Sequence, residues 1–332
     1  MHCELIVPGL FAQPSGAHAP SLELLLARGR GSSGESVSLE AWLQEAFGLE
    51  GAPLPAGALT LAAAGGDPAE ECWGRADPVH LRLMRDRLVV VPSAAFAIAG
   101  DEAQALVEAL NRHFTGRIEF QAIEPARWCA RLERGFALEA APPLEAAGRD
   151  ADLALREGGE PARRWSRLLN EIQMLLHAHP VNLSREARGE PQLNSVWLWG
   201  VGAAPRAAAS RWQAVSADDP LARGLARVSG ARHAMLPACA STLLERAPDE
   251  GRHLVVLDAL RAPLALGESA QCREGIERLE RDWFAPLLEA LRAGRLGMLT
   301  LHVPESLGAA FELVRGDLRR FWRRPKALEK YA

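Results

Sequence analysis

Two histidines spaced by two positions, His177 and His179, are a first pattern that suggests metal chemistry. Imidazole nitrogens ligate zinc and other transition metals. On a helix, however, residues two apart point to different faces, and Pro180 ends this helix at once. We therefore expect these histidines to cap a helix or to bond within a loop rather than to hold a metal.

Asp258 and His302 are a second, weaker metal candidate. Asp258 directly follows the apolar run LVVL, and His302 ends the run MLTLH, and both runs are typical of buried strands. Neighbouring strand ends could bring the two side chains together around one divalent ion. Cys72 and His80 lack metal-ligand spacing, so we expect a buried thiol at Cys72.

A polar loop with Asn182 and Arg185 lies between two apolar elements. The preceding segment, LLNEIQMLLHAH, has the apolar spacing of an amphipathic helix. The following segment, SVWLWGVG, is typical of a buried strand that ends in a glycine turn. This order predicts a helix, a polar loop suited to a site, and a strand.

The segment from Arg315 to Lys326, RGDLRRFWRRPK, is a basic cluster that carries Phe321 and Trp322. Such a cluster could dock an acidic partner or a nucleic-acid backbone. The alternative, which we favour, is a surface helix whose two aromatic rings pack inward while its arginines stay solvated.

The elements that must position these residues alternate along the chain. Apolar runs typical of strands are separated by amphipathic helical segments, most clearly in the last third, where a helix is predicted from Pro220 to Val228. Helices that alternate with apolar runs imply a sheet covered on both faces. The predicted fold class is α/β.

Composition narrows the classes of function. The 332 residues can bury a substantial core, and 48% hydrophobic with 24% charged residues is ordinary for a globular protein. A net charge of -4 disfavours nucleic-acid binding as the main task. No secretory signal or membrane span is predicted, so we expect a cytoplasmic protein. Five scattered cysteines without a C-x-x-C pair predict reduced thiols.

Several segments, taken in order, resemble the archaeal-type cofactor-independent phosphoglycerate mutases of the alkaline phosphatase superfamily. More closely, the chain resembles a bacterial family of phosphoglycerate-mutase-related regulatory proteins from pathogenicity-regulation gene clusters. The resemblance covers most of the chain. The segments that carry it are PSLELLLARG, WGRADPVHL, AGDEAQALVEALN, PARWCARLE and HPVNLSREARGEPQLNSVWLWGVG.

This resemblance implies an alkaline-phosphatase-like central sheet sandwiched by helices, with a smaller inserted α/β domain. The implied boundaries are residues 1–70 for the first part of the core domain, 71–190 for the inserted domain and 191–332 for the second part of the core.

The resemblance also implies an anion site. Arg75, Arg127 and Arg185 are at positions similar to arginines that grip the substrate's phosphate and carboxylate in the mutases, and Asp77 and Asn182 could orient them. A guanidinium suits this task because its planar fork donates two hydrogen bonds to one oxyanion. The alternative is that each arginine makes a structural salt bridge or a solvated surface contact.

Departures from the mutase pattern affect the metal site most. The mutases carry a metal-binding aspartate before a glycine after the first strand, where this chain has Pro8 before Gly9. Between Gly29 and Trp73 there is no equivalent of the family's Gly-Ser-Asp turn, which carries the phosphorylated serine. The loop after Asp258 contains no histidine, and the late Asp-His pair is here a leucine followed by His302. A two-metal phosphoryl-transfer site needs several hard ligands and a nucleophile, which these residues do not supply.

The resulting prediction is a catalytically silent, phosphoglycerate-mutase-like protein in a regulatory role that binds a small phosphorylated or carboxylate ligand or a protein partner. We expect no catalytic residue, no cofactor, no membrane association and no nucleic-acid partner. One alternative is an active mutase or phosphatase with a rebuilt site and a divalent metal such as manganese. Another is a protein-interaction scaffold that uses the basic C-terminal segment.

Overall fold

The computed structural model describes residues 1–12, 16–49, 54–84, 87–136, 138–150, 159–205, 210–246, 251–306 and 308–331. The strands are β1 His2–Ile6, β2 Arg30–Ser32, β3 Cys72–Met84, β4 Arg87–Pro92, β5 Glu119–Glu124, β6 Arg127–Leu132, β7 Ser195–Gly202, β8 Ala214–Ala217, β9 Arg232–Ala234, β10 Arg252–Val256, β11 Met298–Val303 and β12 Ala309–Val314. The helices are α1 Pro20–Arg28, α2 Leu39–Ala46, α3 Ala56–Ala63, α4 Gly100–His113, α5 Pro143–Ala146, α6 Gly159–His177, α7 Pro180–Ala187, α8 Pro220–Val228, α9 Ala240–Arg246, α10 Arg261–Leu266, α11 Ser269–Leu279 and α12 Ala285–Ala293.

The chain forms two compact units. One comprises Met1–Glu50 and Ala207–Ala332, and the other comprises Gly51–Arg206. The division therefore falls near residues 50 and 206 rather than at 70 and 190. The reason is strand pairing, because β7 pairs with β3 and belongs to the inserted unit.

The first unit contains a seven-stranded sheet in the order β2-β12-β11-β1-β10-β8-β9. Strands β11, β1, β10, β8 and β9 run parallel, and β12 and β2 are antiparallel additions at one edge. In the centre, Ile6 is in register with both Val256 and His302. Alternate residues of β1, including Cys3 and Leu5, pack into a core built with α1, α11 and α12.

The second unit contains a five-stranded antiparallel sheet in which β3 is central. The strand order is β4-β3-β6-β5, and β7 pairs with β3 as well. One sheet face packs on α4 and α6 through residues such as Ala76 and Trp128. The other face carries α3, which packs on Cys129 of β6 through Ala58 and Leu61.

Local expectations and the structure agree in several places. The helix predicted from Pro220 to Val228 forms with those bounds. His179 is the N-cap of α7, and its Nδ1 accepts a hydrogen bond from the Val181 N–H at 3.3 Å, so the capping prediction is confirmed. All five cysteines are free thiols. The mixed α/β class is confirmed. Among the described residues, no helix is both long and apolar enough to cross a membrane.

Candidate functional site

Acidic side chains gather where the parallel strands of the first unit end. The carboxyl ends of parallel strands meet at one edge of a sheet, which is where open α/β sheets bind ligands. Here β8 is followed by Asp219, β10 by Asp258 and β11 by Glu305. The loop after β1 joins them, because the Gly9 N–H donates to Oε2 of Glu305 at 3.1 Å.

A guanidinium from α10 lies among these carboxylates. Nη2 of Arg261 donates to Oε1 of Glu40 at 2.7 Å, which joins α10 to α2. Burial lowers the pKa of Arg261, but the charges of Glu40, Asp219 and Asp258 outweigh burial and raise the pKa above its ordinary value. Arg261 is therefore the positive charge that these acidic groups share.

The acidic groups outnumber this cation, and the excess negative charge perturbs their protonation. Burial, followed by the charge of Asp219, raises the pKa of Asp258 to about 6 against the favourable charge of Arg261. Glu40 is buried, and its Oε2 atom has no hydrogen-bond partner in the described part of the chain. A proton bound at Asp258 relieves part of this repulsion.

The donor set does not fit the metal pair that the family resemblance implies. Pro8 offers no side-chain ligand, Oδ1 of Asp219 accepts the Ala222 N–H at 2.9 Å, and Glu40 already pairs with Arg261. No group of three or more His, Cys, Asp or Glu side chains within the described ranges is arranged to hold a metal ion. The local counter-charge is a guanidinium that is part of the chain.

The structure gives His302 and Asp258 different partners. Nε2 of His302 lies 3.7 Å from Oε2 of the buried Glu4, and its ring lies 5.0 Å from that of Trp42. Glu4 also contacts Arg252 at 2.9 Å and Arg211 at 3.4 Å. Burial alone would raise the pKa of Glu4, but His302, the two arginines and Trp212 hold it at about 2. His302 therefore belongs with Glu4, Arg252 and Arg211, and its ring packs against Trp42 of α2.

In the second unit, Arg75 and Asp77 lie on one face of β3 as a buried pair. Nε of Arg75 donates to Oδ1 of Asp77 at 3.0 Å, and its Nη1 donates to Oγ1 of Thr60 at 3.3 Å. The other oxygen of Asp77 accepts the indole N–H of Trp199 at 2.8 Å, and that ring also lies 5.4 Å from the Arg75 guanidinium. The aspartate thus holds the arginine in one orientation.

Arg127 lies on the same sheet face as this pair. Arg75 is in register with Cys129, and Arg127 is two residues before Cys129 on β6. Because side chains alternate between faces, Arg127 and Cys129 share one face. Arg127 is partly exposed and pairs with Glu124 at 2.5 Å. Of the three predicted anion-binding arginines, Arg127 is the one whose side chain is not buried.

Asn182 and Arg185 are not on that face. Both lie on the helix α7, so the prediction of a polar loop at these residues is wrong. Helix α7 packs on α4 and α6, the helices of the opposite face. The Asn182 amide donates to the carbonyls of Leu176 and Leu193 and accepts the Leu193 N–H. These bonds hold the loop between α7 and β7.

Arg185 is fully engaged by protein oxygens. Its guanidinium nitrogens donate to the Pro191 carbonyl, to Glu102 and to the Ala97 carbonyl. The side chain is 1% exposed. The structure therefore places Arg75, Asp77 and Arg127 on one sheet face but not Asn182 or Arg185, which stabilise local structure instead.

Sequence reasoning missed Glu4, Glu40, Asp219, Arg261 and Glu305. Two of these carried a local signal. Glu4 interrupts an apolar strand, and a buried charge in such a run requires partners. Asp219 precedes Pro220, which is typical of an N-cap followed by proline in the first helical turn. Glu40, Arg261 and Glu305 carry no comparable signal.

Comparison with known proteins identifies distant relatives. The chain is 28% identical over 206 residues to the 2,3-bisphosphoglycerate-independent phosphoglycerate mutase of Methanosarcina mazei, covering 57% of this chain and 50% of that protein. It is 33% identical over 137 residues to a probable mutase of the same kind from Geobacter sulfurreducens, covering 40% and 34%. The matched part thus spans about half the length of the Methanosarcina protein and about a third of the Geobacter protein. No protein-family model matches the chain.

A solved structure supports the fold. A protein from Pyrococcus horikoshii superposes with a TM-score of 0.57 at 14% identity, covering 94% of this chain and 87% of that one. This likeness shows a shared α/β fold. The chain is a distant homologue of cofactor-independent phosphoglycerate mutases.

Proposed function

We propose that this protein is a catalytically silent relative of the phosphoglycerate mutases that acts in regulation by binding a small anion or a protein partner. The observation that carries the proposal is the Arg261–Glu40 pair at the strand ends. Two-metal phosphoryl transfer needs carboxylates that are free to ligate cations. In this chain, a guanidinium already neutralises part of the acidic cluster, and Pro8 supplies no carboxylate.

Electrostatics supports this proposal. A divalent ion next to Arg261 would experience repulsion from a fixed positive charge, which weakens binding most in a buried site of low dielectric. Displacing the guanidinium would break its ion pair with the buried carboxylate of Glu40, which opposes the exchange.

The anion-binding part of the proposal rests on the sheet face with Arg75, Asp77 and Arg127. Arg75 is held in one orientation by Asp77 and Thr60. Arg127 is partly exposed and can exchange Glu124 for a ligand oxyanion. A small molecule with a phosphate or carboxylate group would take the place of Glu124 at Arg127, on the sheet face that also carries the buried Arg75.

The test of catalysis uses the purified full chain with 3-phosphoglycerate and manganese. We expect no conversion to 2-phosphoglycerate and no stoichiometric divalent metal in elemental analysis. Turnover that Arg127→Ala abolishes would contradict the proposal and favour the alternative, an active mutase or phosphatase with a rebuilt metal site. Arg82→Ala, an exposed arginine of the same unit, is the matched control.

The test of anion binding is calorimetric titration with 3-phosphoglycerate and with inorganic phosphate. We expect saturable binding that Arg127→Ala weakens by about tenfold, the loss of one charge-assisted hydrogen-bonded contact. Arg82→Ala should leave the affinity unchanged. Equal loss in both variants would indicate a diffuse charge effect and would remove the proposed anion site.

A further inference from the structure

The C-terminal part of the first unit displays two aromatic rings to solvent. The segment Arg319–Ala327, here called the basic loop, follows a short 3-10 turn at Arg315–Arg319. Phe321 is 77% exposed and Trp322 is 67% exposed. The sequence-based expectation that these rings pack inward on a surface helix is wrong. The chain is not helical at these positions, so no helix turns the rings toward the core.

The basic loop is anchored at both ends, which fixes the position of the exposed rings. After the loop, Leu328 is buried in the core, and the ring of Tyr331 stacks on that of Phe11 at 5.8 Å. Within the loop, Arg320 and Arg323 donate to backbone carbonyls of Arg28 and Gly29 at 3.0 and 2.7 Å. A surface ordered before binding loses less entropy on binding.

Positive charge surrounds the two rings. The stretch from Arg315 to Lys326 has six arginine or lysine residues and one acidic residue, Asp317. That carboxylate is buried and paired with Arg320 at 2.7 Å and Arg30 at 3.5 Å. Arg319, Arg324 and Lys326 are exposed, and for these three the described part of the chain shows no ion pair. They are available to an external anion.

The rest of the molecule argues against a polyanionic surface as the partner. The whole chain has 42 acidic and 38 basic residues, so outside the basic loop it is distinctly acidic. A membrane plane or a long nucleic acid needs positive charge over an area larger than the loop, which the net charge of the remaining chain does not favour, whereas a short partner segment would contact the loop alone. Because dissolved salt screens charges over about 8 Å, the arginines and lysine of the loop attract only those parts of a partner that lie close to the loop.

The ring geometry also favours a protein partner. The rings of Phe321 and Trp322 are 5.4 Å apart at an interplanar angle of 82°. Two perpendicular rings form a wedge rather than a flat platform on which successive bases stack. Tryptophan and arginine are the residue types most enriched at the energetic centres of protein interfaces.

From these observations we infer that the basic loop is a docking surface for an acidic amphipathic helix of a partner protein. The helix's apolar side chains would cover Phe321 and Trp322, and its carboxylates would pair with Arg319, Arg324 and Lys326. This inference names a partner class for the proposed regulatory role, but it does not depend on whether the strand-end site is silent.

The experiment measures fluorescence anisotropy of a labelled peptide with leucine at positions i, i+4 and i+7 and glutamate elsewhere, titrated with the full chain. The comparison peptide replaces each glutamate by glutamine. We expect the acidic peptide to bind with a dissociation constant below about 100 μM and the neutral peptide at least tenfold more weakly. Binding should weaken as salt is raised.

Substitutions separate the contribution of the exposed aromatic rings to peptide binding from that of the positive charges. Trp322→Ser and the pair Arg319→Glu with Arg324→Glu should each weaken binding by about tenfold or more. Met174→Ser, an equally exposed apolar side chain in the other unit, and Arg278→Glu, an exposed arginine elsewhere in the first unit, should change binding less than twofold. Because the substituted side chains are exposed, unchanged circular-dichroism spectra should accompany these effects.

Defined results would overturn the inference. One is equal affinity for the acidic and neutral peptides, or no binding of either at about 100 μM. Another is an affinity that the loop variants leave unchanged. Tighter, loop-dependent binding to phosphatidylserine vesicles or to oligothymidylate would overturn it in favour of a polyanionic partner. Proteins that lose the anion site through Arg127→Ala should still bind the peptide, which distinguishes the two proposals.

Discussion

The guanidinium of Arg261 is 2.7 Å from one carboxylate oxygen of Glu40, and the other oxygen of that carboxylate is buried without a hydrogen-bond partner in the described part of the chain. The pair joins α2, from the start of the chain, to α10, more than two hundred residues later. It lies where parallel strands end and where Asp219 and Asp258 add further negative charge. The arginine side chain of Arg261 thus neutralises part of the negative charge of the carboxylates at the carboxyl ends of the parallel strands.

Removal of that cation should destabilise the first unit. Arg261→Ala leaves Glu40 and Asp258 without their counter-charge, and we expect a loss of about 3 kcal/mol in the free energy of unfolding near neutral pH. Arg261→Lys keeps the charge and should lose less. Urea denaturation monitored by tryptophan fluorescence measures both. If both variants unfold at the wild-type urea concentration, the pair has no structural importance.

Asp258 should make stability fall as pH rises. Burial, then Asp219, raises its pKa from 3.8 to about 6. Between those values the folded state keeps a proton that the unfolded state releases, so the free energy of unfolding decreases as pH rises from about 4 to about 6. Asp258→Asn should therefore gain about 2 kcal/mol near pH 7.5 and nothing near pH 3.5. Glu277→Gln, at an exposed position on α11, is the control, and a gain in that variant would exclude a specific effect of Asp258.

Glu4, in contrast to Asp258, should make the free energy of unfolding increase as pH rises. Burial would raise its pKa from 4.5, yet His302, Arg211, Trp212 and Arg252 hold it at about 2. The stability it contributes is present above pH 4.5 and is lost as pH falls toward 2. Glu4→Gln should lower the free energy of unfolding by about 2 kcal/mol at neutral pH, with the difference vanishing in acid.

A double-mutant cycle tests whether Glu4 stabilises the protein through its ion pair with Arg252. Arg252→Ala should cost stability in the wild-type background and much less in the Glu4→Gln background, because the ion pair is already absent there. Additive losses in the cycle would mean that Glu4 and Arg252 do not interact in solution.

Replacing Gly57 should lower the stability of the inserted unit. A Cβ atom at Gly57 of α3 would lie 2.4 Å from the carbonyl carbon of Gly74 on β3 and 2.6 Å from its Cα. Gly57→Ala must push α3 off the sheet that carries Arg75 and should cost about 1–3 kcal/mol. Gly100→Ala, in the first turn of α4 with no atom within 4 Å of the added Cβ, is the control. It should be neutral or slightly stabilising, and a thermal melt compares the two.

The sequence by itself determined the local structure. Apolar spacing identified α8 and placed a strand in each of the β10 and β11 segments. Trp197 and Trp199 are buried on β7, within the segment SVWLWGVG that the sequence predicts as a buried strand. These features follow from side-chain periodicity and backbone sterics within a few residues, which are properties that a single sequence displays.

Only the tertiary structure decided which distant residues meet. Strand order and register bring Arg261, Glu40 and Asp258 to one edge, although nothing in their local sequence connects them. Pairing of β7 with β3 assigns β7 to the inserted unit, and packing of α7 on α4 and α6 places Arg185 on the opposite side of the sheet from Arg75. Which strands pair, and which helices pack on them, depends on the packing of whole elements that lie far apart in the chain. Residue types and their spacing predict each helix or strand by itself but do not determine which other elements it contacts.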